Sequence, residues 1–265
     1  MTKIHPMSYV HPEAILGENV EVGPFAYIDQ HVQIGDGCRI MNGATILNYV
    51  KMGKDCTVFP GAVVGAIPQD LKFEGEESWV EIGDRVYIRE CATINRGTKA
   101  SGKAITRIGN DTLLMSYSHI AHDCTIGNHC IIVSYVGLAG ETDIQDWGVV
   151  GGKSGSHQFC RVGTHAFVGA NVKITKDVPP YVLAGREPIA FEGVNRVGLQ
   201  RRGFTEQQVN EIKDIYDTIY FKGMNVSQAV EYIEANFPAT EQRDTILRFI
   251  RESERGIIPK IRPTR

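Results

Sequence analysis

Two imidazoles and a carboxylate fall within the six residues His119-Ile120-Ala121-His122-Asp123-Cys124. Imidazole exchanges a proton near neutral pH, and an adjacent carboxylate fixes which ring nitrogen keeps it. The pair His122 and Asp123 therefore suits a general base that takes a proton from a hydroxyl. His119 adds a second ring on the same stretch. Further along, His157-Gln158 and Arg201-Arg202 are polar pairs, and two neighbouring guanidinium groups suit a diphosphate. Gln69-Asp70-Leu71-Lys72-Phe73 supplies another group of hydrogen-bonding side chains. No metal-ligand spacing connects these residues, so acid–base chemistry without a metal or a cofactor is expected.

Something must hold these residues in place, and the sequence shows it as a period of six. An aliphatic residue or Met recurs at Val10, Leu16, Val22, Ile28, Ile34, Ile40, Ile46, Met52, Val58 and Val64. The series returns at Ile82, Ile88 and Ile94, and again from Ile108 to Ile174, with Ser156 its one exception. Four residues after each stands a smaller inward candidate, such as Ala26, Cys38, Cys56, Cys124, Cys130 and Cys160. Neither helical spacing nor simple alternation fits. Short strands separated by corners do fit, stacked into a prism with about 4.8 Å between coils. Glycine often follows the aliphatic residue, as at Gly35 and Gly127, where a tight corner is expected.

Three hexads per coil bring residues 18 apart into register. Ile120 and Cys124 then point inward and leave His122 and Asp123 on the outer part of the coil. Gly140 comes one coil above His122, and its poorly covered N–H suits an oxyanion. His157 and Gln158 stand about two coils above. The rhythm fails at residues 66–79 and 98–106, which are expected to leave the prism as loops, where binding residues commonly sit.

The rhythm stops after Asp177. Thr205 to Gln208 reads as a capping box, with Val209, Ile212, Tyr216 and Ile219 on one helical face and further helical spacing near 227–236 and 240–255. The expected organisation is an all-β domain over residues 1–182 and a small α-helical C-terminal domain over 183–265.

Net charge of −3, from 28 basic and 31 acidic residues, gives no general attraction to nucleic acid or an anionic membrane. The N-terminal residues MTKIHPMSYVHPEA lack the apolar core of a signal peptide, and no segment approaches a membrane span, so a cytoplasmic protein without an integral membrane segment is expected. Six cysteines without CxxC argue against a disulfide framework or structural zinc. Five of them take the small inward position and have a packing role.

Several motifs together resemble the UDP-N-acetylglucosamine acyltransferases that begin lipid A synthesis. They are Pro68-Gln69-Asp70-Leu71-Lys72, Val80-Glu81-Ile82-Gly83-Asp84-Arg85, Ile120-Ala121-His122-Asp123-Cys124, His157-Gln158-Phe159-Cys160, Asp177-Val178-Pro179-Pro180-Tyr181-Val182, and Gly193-Val194-Asn195 with Arg201-Arg202-Gly203-Phe204. The resemblance runs from about Val10 to Gly256. It implies a left-handed parallel β-helix and transfer of a 3-hydroxyacyl chain from acyl carrier protein to the 3-position of UDP-N-acetylglucosamine. It also implies a homotrimer with sites between neighbouring prisms. By the same resemblance, His122 is the base, Asp123 supports it and Gly140 serves the oxyanion. Gln69, Asp70, Lys72, His119, His157 and Gln158 line the substrate cleft, and Asn195, Arg201 and Arg202 hold the nucleotide. Ala170 stands where the family measures acyl length. Glu141, among the substrate-binding positions, and Asn95 replace family histidines, and Val197 replaces an acidic residue near the nucleotide. The residues by themselves leave three alternatives: a related UDP-sugar N-acyltransferase, a metal-dependent β-helix hydratase, and a non-catalytic module that binds carrier protein.

Overall fold

A computed structural model describes residues 1–261. The chain winds through three parallel sheets of very short strands, which form the faces of a prism. The first face runs from Lys3–Ile4 through Leu113–Leu114 and Ile131–Ile132 to Phe167–Val168. The second includes Thr93–Asn95, His119–Ile120 and Gly137–Leu138; the third includes Trp79–Ile82, Ile105–Ile108 and Thr125–Ile126. Ladder partners are 18 residues apart, as in His119 with Gly137 and Ile120 with Leu138.

The period of six exists because each face contributes one large and one small inward side chain. Ile28, Ile40, Ile46, Ile120, Ile132 and Ile144 are among the largest fully buried side chains. Cys38, Cys56, Cys124, Cys130 and Cys160 are buried free thiols at the small position, and burial pushes Cys124 and Cys130 up to about 12. They therefore pack as small apolar groups. Each buried aliphatic side chain contributes roughly 1.5–3 kcal/mol, so stacking supplies the stability that two-residue strands cannot. Where Tyr9–Val10 and Ile15–Leu16 form the terminal strands of the second and third faces, Val10, Ala14 and Leu16 are only partly buried.

One expectation about corners is corrected. The left-handed corner position falls three residues after the aliphatic one and is held mostly by non-glycine residues such as Asp123 (φ 59°) and Glu141 (φ 59°), with glycine at Gly37, Gly43 and Gly61. The glycine that directly follows the aliphatic residue answers a different need. At Gly127 a Cβ would stand 2.7 Å from the amide nitrogen of Asp146 in the next coil. Close approach of coils requires glycine there.

Two excursions leave the prism between Ala66 and Trp79 and between Asn95 and Ile105. Thr57 pairs with Tyr87 and Thr93 with His119, so these coils span 30 and 26 residues instead of 18. Both excursions pass from the second face to the third. They therefore fold over one edge, the edge on which the next coil carries His122.

Beyond Asp177 the prism does not end at once. Val182–Gly185 continues the first face against Phe167 and Val168, then turns back to pair antiparallel with Ala190–Val194. The expected division at 182/183 falls inside that strand. Among the described residues four α-helices follow: α1 (Arg196–Arg201), α2 (Glu206–Phe221), α3 (Val226–Asn236) and α4 (Glu241–Arg251). Thr205 and Gln208 form the capping box of α2, whose Val209, Ile212, Tyr216 and Ile219 are buried. Among the described residues no helix is long and apolar enough to cross a membrane.

Candidate active site

His122 and Asp123 occupy the corner between the second and third faces. They point away from the prism interior, as the hexad register requires, yet they are not exposed: His122 is 8% accessible and Asp123 0%. The expected outer position therefore holds, but as a covered one, because the two excursions close over it.

The second excursion supplies the cover for Asp123. Thr98 donates its amide N–H to both carboxylate oxygens at 3.0 Å and its hydroxyl to Oδ2 at 2.7 Å. Thr106 Oγ1 accepts the Asp123 amide at 2.8 Å. The carboxylate is thus an acceptor throughout, and His122 Nδ1, 2.9 Å from Oδ2, donates to it. With the proton fixed on Nδ1, the lone pair of His122 is on Nε2.

Nε2 faces the first excursion. Asp70 Oδ2 lies 3.7 Å away, while Asp70 Oδ1 accepts the Lys72 amide. That excursion is pinned from below. Asn95 Nδ2 donates to Ile67 O at 3.1 Å, and the buried Arg96 guanidinium lies over the rings of Tyr49 and Phe73, at 5.1 and 5.7 Å. Asn95, a departure from the family pattern, therefore anchors the loop that carries Asp70. Gly140, one coil up, packs directly on the His122 ring.

The other expected residues fall into three groups. His119 is on the outer side of the second face, with Nδ1 2.7 Å from Thr93 Oγ1, and burial lowers its pKa by disfavouring the charged ring. Glu141 is on the same edge as His122, and its amide donates to the His122 carbonyl. Gln158, beside the exposed His157, is one coil higher on that edge, where Phe159 N donates to Gly140 O at 3.3 Å. Gln69 and Lys72 are exposed on the first excursion.

Ala170 is on a different edge, between the first and second faces. Asn195, Arg201 and Arg202 belong to the third edge. Asn195 caps α1, accepting from Gly198 N and donating to His165 O, which uses both ends of its amide. Arg202 lies 5.1 Å over the Trp147 ring and 3.3 Å from His165 Nδ1. Trp147 and His165 are stacked, and burial together with the Arg202 charge brings the His165 imidazole down to about 4. Arg201 is exposed and lines an apolar groove with Ile131, Val149, Phe167 and Val197. Within one chain these arginines do not meet His122.

Sequence reasoning missed Thr98, Thr106 and Arg96. None lies at the 18-residue register from the dyad; Thr98 and Arg96 belong to the second excursion and Thr106 to the strand Ile105–Ile108 that follows it, and a lone polar residue there gives no signal of what it covers.

A prism of hexads with a covered His–Asp pair on one edge is the scaffold of a hexapeptide-repeat transferase. The bacterial transferase hexapeptide model matches residues 31–66 and 105–140. A second model, UDP-N-acetylglucosamine O-acyltransferase domain 2, matches residues 177–258. The acyl-[acyl-carrier-protein]–UDP-N-acetylglucosamine O-acyltransferase of Xylella fastidiosa is 43% identical over 96% of this chain and 97% of its own. That of a Janthinobacterium strain is 46% identical over 97% and 100%. The crystal structure of the UDP-N-acetylglucosamine acyltransferase of Bacteroides fragilis superposes with a TM-score of 0.92 at 50% identity, covering 96% of this chain and 99% of that one. The chain belongs to the UDP-N-acetylglucosamine O-acyltransferase family, and its architecture is the left-handed parallel β-helix followed by C-terminal helices.

Proposed function

We propose that this chain is the acyltransferase that moves a 3-hydroxyacyl group from acyl carrier protein to the 3-position of UDP-N-acetylglucosamine, the first step of lipid A synthesis. The observation that carries the mechanism is the orientation of His122, with Nδ1 committed to Asp123 and Nε2 directed at Asp70 and Gly140.

Nε2 takes the proton of the sugar hydroxyl as its oxygen attacks the thioester carbon. The new C–O bond produces a tetrahedral oxyanion, which the Gly140 N–H stabilises. The imidazolium formed in this step lies between the carboxylates of Asp123 and Asp70, which favour its charge. Collapse breaks the C–S bond, and the same imidazolium returns the proton to the leaving thiolate. Atoms balance without a cofactor or a covalent enzyme intermediate, since the carrier-protein thioester supplies the leaving group.

His122 and the pair Arg201 and Arg202 are on different edges of one prism. Closed packing of three prisms would bring such edges together, and the apolar groove beside Arg201 suits a buried contact. This placement supports a homotrimer in which His122 of one chain works with the nucleotide-holding residues of the next. Ala170, on the remaining edge, would meet the distal acyl chain. Nucleotide sugars and acyl carrier protein are made in the cytoplasm, and this activity belongs there.

Purified protein incubated with a panel of acyl carrier proteins and with UDP-N-acetylglucosamine or its 3-amino analogue tests the reading by mass of product. An O-acylated UDP-sugar is expected with one preferred chain length. Transfer only to the amino analogue, or to neither, would contradict it.

A further inference from the structure

Ser156 is the residue that interrupts the aliphatic series of the prism interior, and its hydroxyl acts one coil below. Amides at this corner otherwise donate to main-chain carbonyls: Ala121 N to Leu138 O at 3.1 Å, and His157 N to Ile174 O at 2.8 Å. In the coil between them Ala139 N donates to Ser156 Oγ at 3.1 Å. Ser156 Oγ is 2.7 Å from Thr142 Oγ1, and Thr142 Oγ1 donates to Ala139 O at 2.7 Å. Each hydroxyl has one proton to give, which fixes the order. Ala139 N–H donates to Ser156, Ser156 O–H to Thr142, and Thr142 O–H to Ala139 C=O. The circuit begins and ends on Ala139. The Cys124 thiol is a second donor to the same carbonyl, at 3.3 Å.

This matters because Ala139 C=O and Gly140 N–H belong to one planar trans peptide and point in opposite directions. Thr142 and Cys124 are both 0% accessible, within the prism, so the carbonyl points inward and the Gly140 N–H outward, at the edge where His122 sits. A hydrogen bond to the carbonyl also polarises the peptide and strengthens its N–H as a donor. The Gly140 N–H donates to no other group among the described residues.

We propose that Ser156 and Thr142 are positioning residues that aim and polarise the Gly140 N–H for the oxyanion. This inference rests on the acyltransfer reading above. Hydroxyls also take the small inward position at Thr112 and Ser154 and donate to corner carbonyls there, but only beside the Gly140 peptide does a second hydroxyl, Ser156, stand in an aliphatic place and close the circuit.

Steady-state kinetics and melting temperatures of Thr142→Val, Thr142→Ser, Ser156→Ala and Ser156→Val test it. Thr142→Val and Ser156→Ala should lose about tenfold in kcat, part of what removal of an oxyanion donor costs. KM for the UDP-sugar should stay within about twofold and the pH profile should not move, because His122 is untouched. Thr142→Ser should recover kcat. Ser156→Val restores the regular hexad, so it should melt no lower than the wild type yet turn over more slowly. Full kcat in folded Thr142→Val or Ser156→Ala would overturn the proposal, as would a kcat that simply follows melting temperature across the set. His122→Ala is assayed beside them. If it keeps full activity, the acyltransfer mechanism itself is lost; if it is inactive while Thr142→Val is fully active, only the positioning role is lost.

Discussion

The ring of His122 fills the space that a side chain on Gly140 would need: a Cβ there would lie 2.5 Å from Cε1 and collide with Nε2 as well. Two residues 18 apart in sequence are thus fixed in identity by one contact between neighbouring coils. Gly140 has no left-handed backbone angle to explain it, so the imidazole is the reason for the glycine.

Gly140→Ala should therefore fold and still fail. The backbone accepts alanine, but the methyl group must displace a ring that Asp123 holds from the other side. A loss of about 10²-fold or more in kcat is expected, the scale for a misplaced catalytic group. Circular dichroism and melting temperature near those of the wild type would accompany it.

Asp123 has three donors around its carboxylate, two of them from Thr98. Asp123→Asn puts an amide N–H among those donors and removes the acceptor that fixes the His122 tautomer. Activity should fall about 10²–10⁴-fold. Stability should fall by about 1–3 kcal/mol, since a buried group loses a partner. Thr98→Val keeps the main-chain donor and should cost far less in both. Chemical denaturation together with kcat measurement separates the two variants.

Much of this was legible beforehand, for a physical reason that also sets its limit. A prism repeats one inward pattern, so Ile28, Ile40 and Ile120 announce the fold at fixed spacing, and the breaks after Val64 and Ile94 announce the excursions. The register likewise placed Gly140 on His122. Contacts made by the excursions obey no register. Thr98 reaches Asp123 across 25 residues, and Arg96 clamps Phe73 by geometry that spacing does not encode. The hairpin of Val182–Gly185 and Ala190–Val194 was hidden because its residues continue a sheet without continuing the hexads. Helix α1 is six residues long with a glycine inside, too short to show a periodic face.

A pH effect on stability follows from the third edge. His165 has an ordinary value of 6.5 and about 4 in the folded chain, because burial and Arg202 oppose its charge. Above pH 6.5 folded and unfolded chains are both neutral there, and its full contribution is present. Between 6.5 and about 4 the unfolded chain binds a proton that the folded one refuses, so stability falls with pH by at most about 1.4 kcal/mol per unit, and by less because the ring is only partly buried. His165→Phe keeps the stack and removes the titration. Its melting temperature should decline less steeply than that of the wild type from pH 6.5 to 4.5.

The proposed trimer with shared sites makes a prediction that no single chain can meet. His122→Ala and Arg202→Ala, each inactive alone, should regain transfer when unfolded together and reassembled. Random mixing leaves about a quarter of the interfaces with both native residues. Recovery near that fraction supports sites between chains, and no recovery in mixed trimers contradicts them.

The role of His122 as the base is tested most directly by His122→Ala, assayed for transfer from acyl carrier protein to UDP-N-acetylglucosamine at matched folded concentration. The account predicts a fall of about 10³-fold or more in kcat with the melting temperature essentially retained, in line with the loss of a positioned general base. A folded His122→Ala enzyme that keeps kcat within tenfold of the wild type would contradict it.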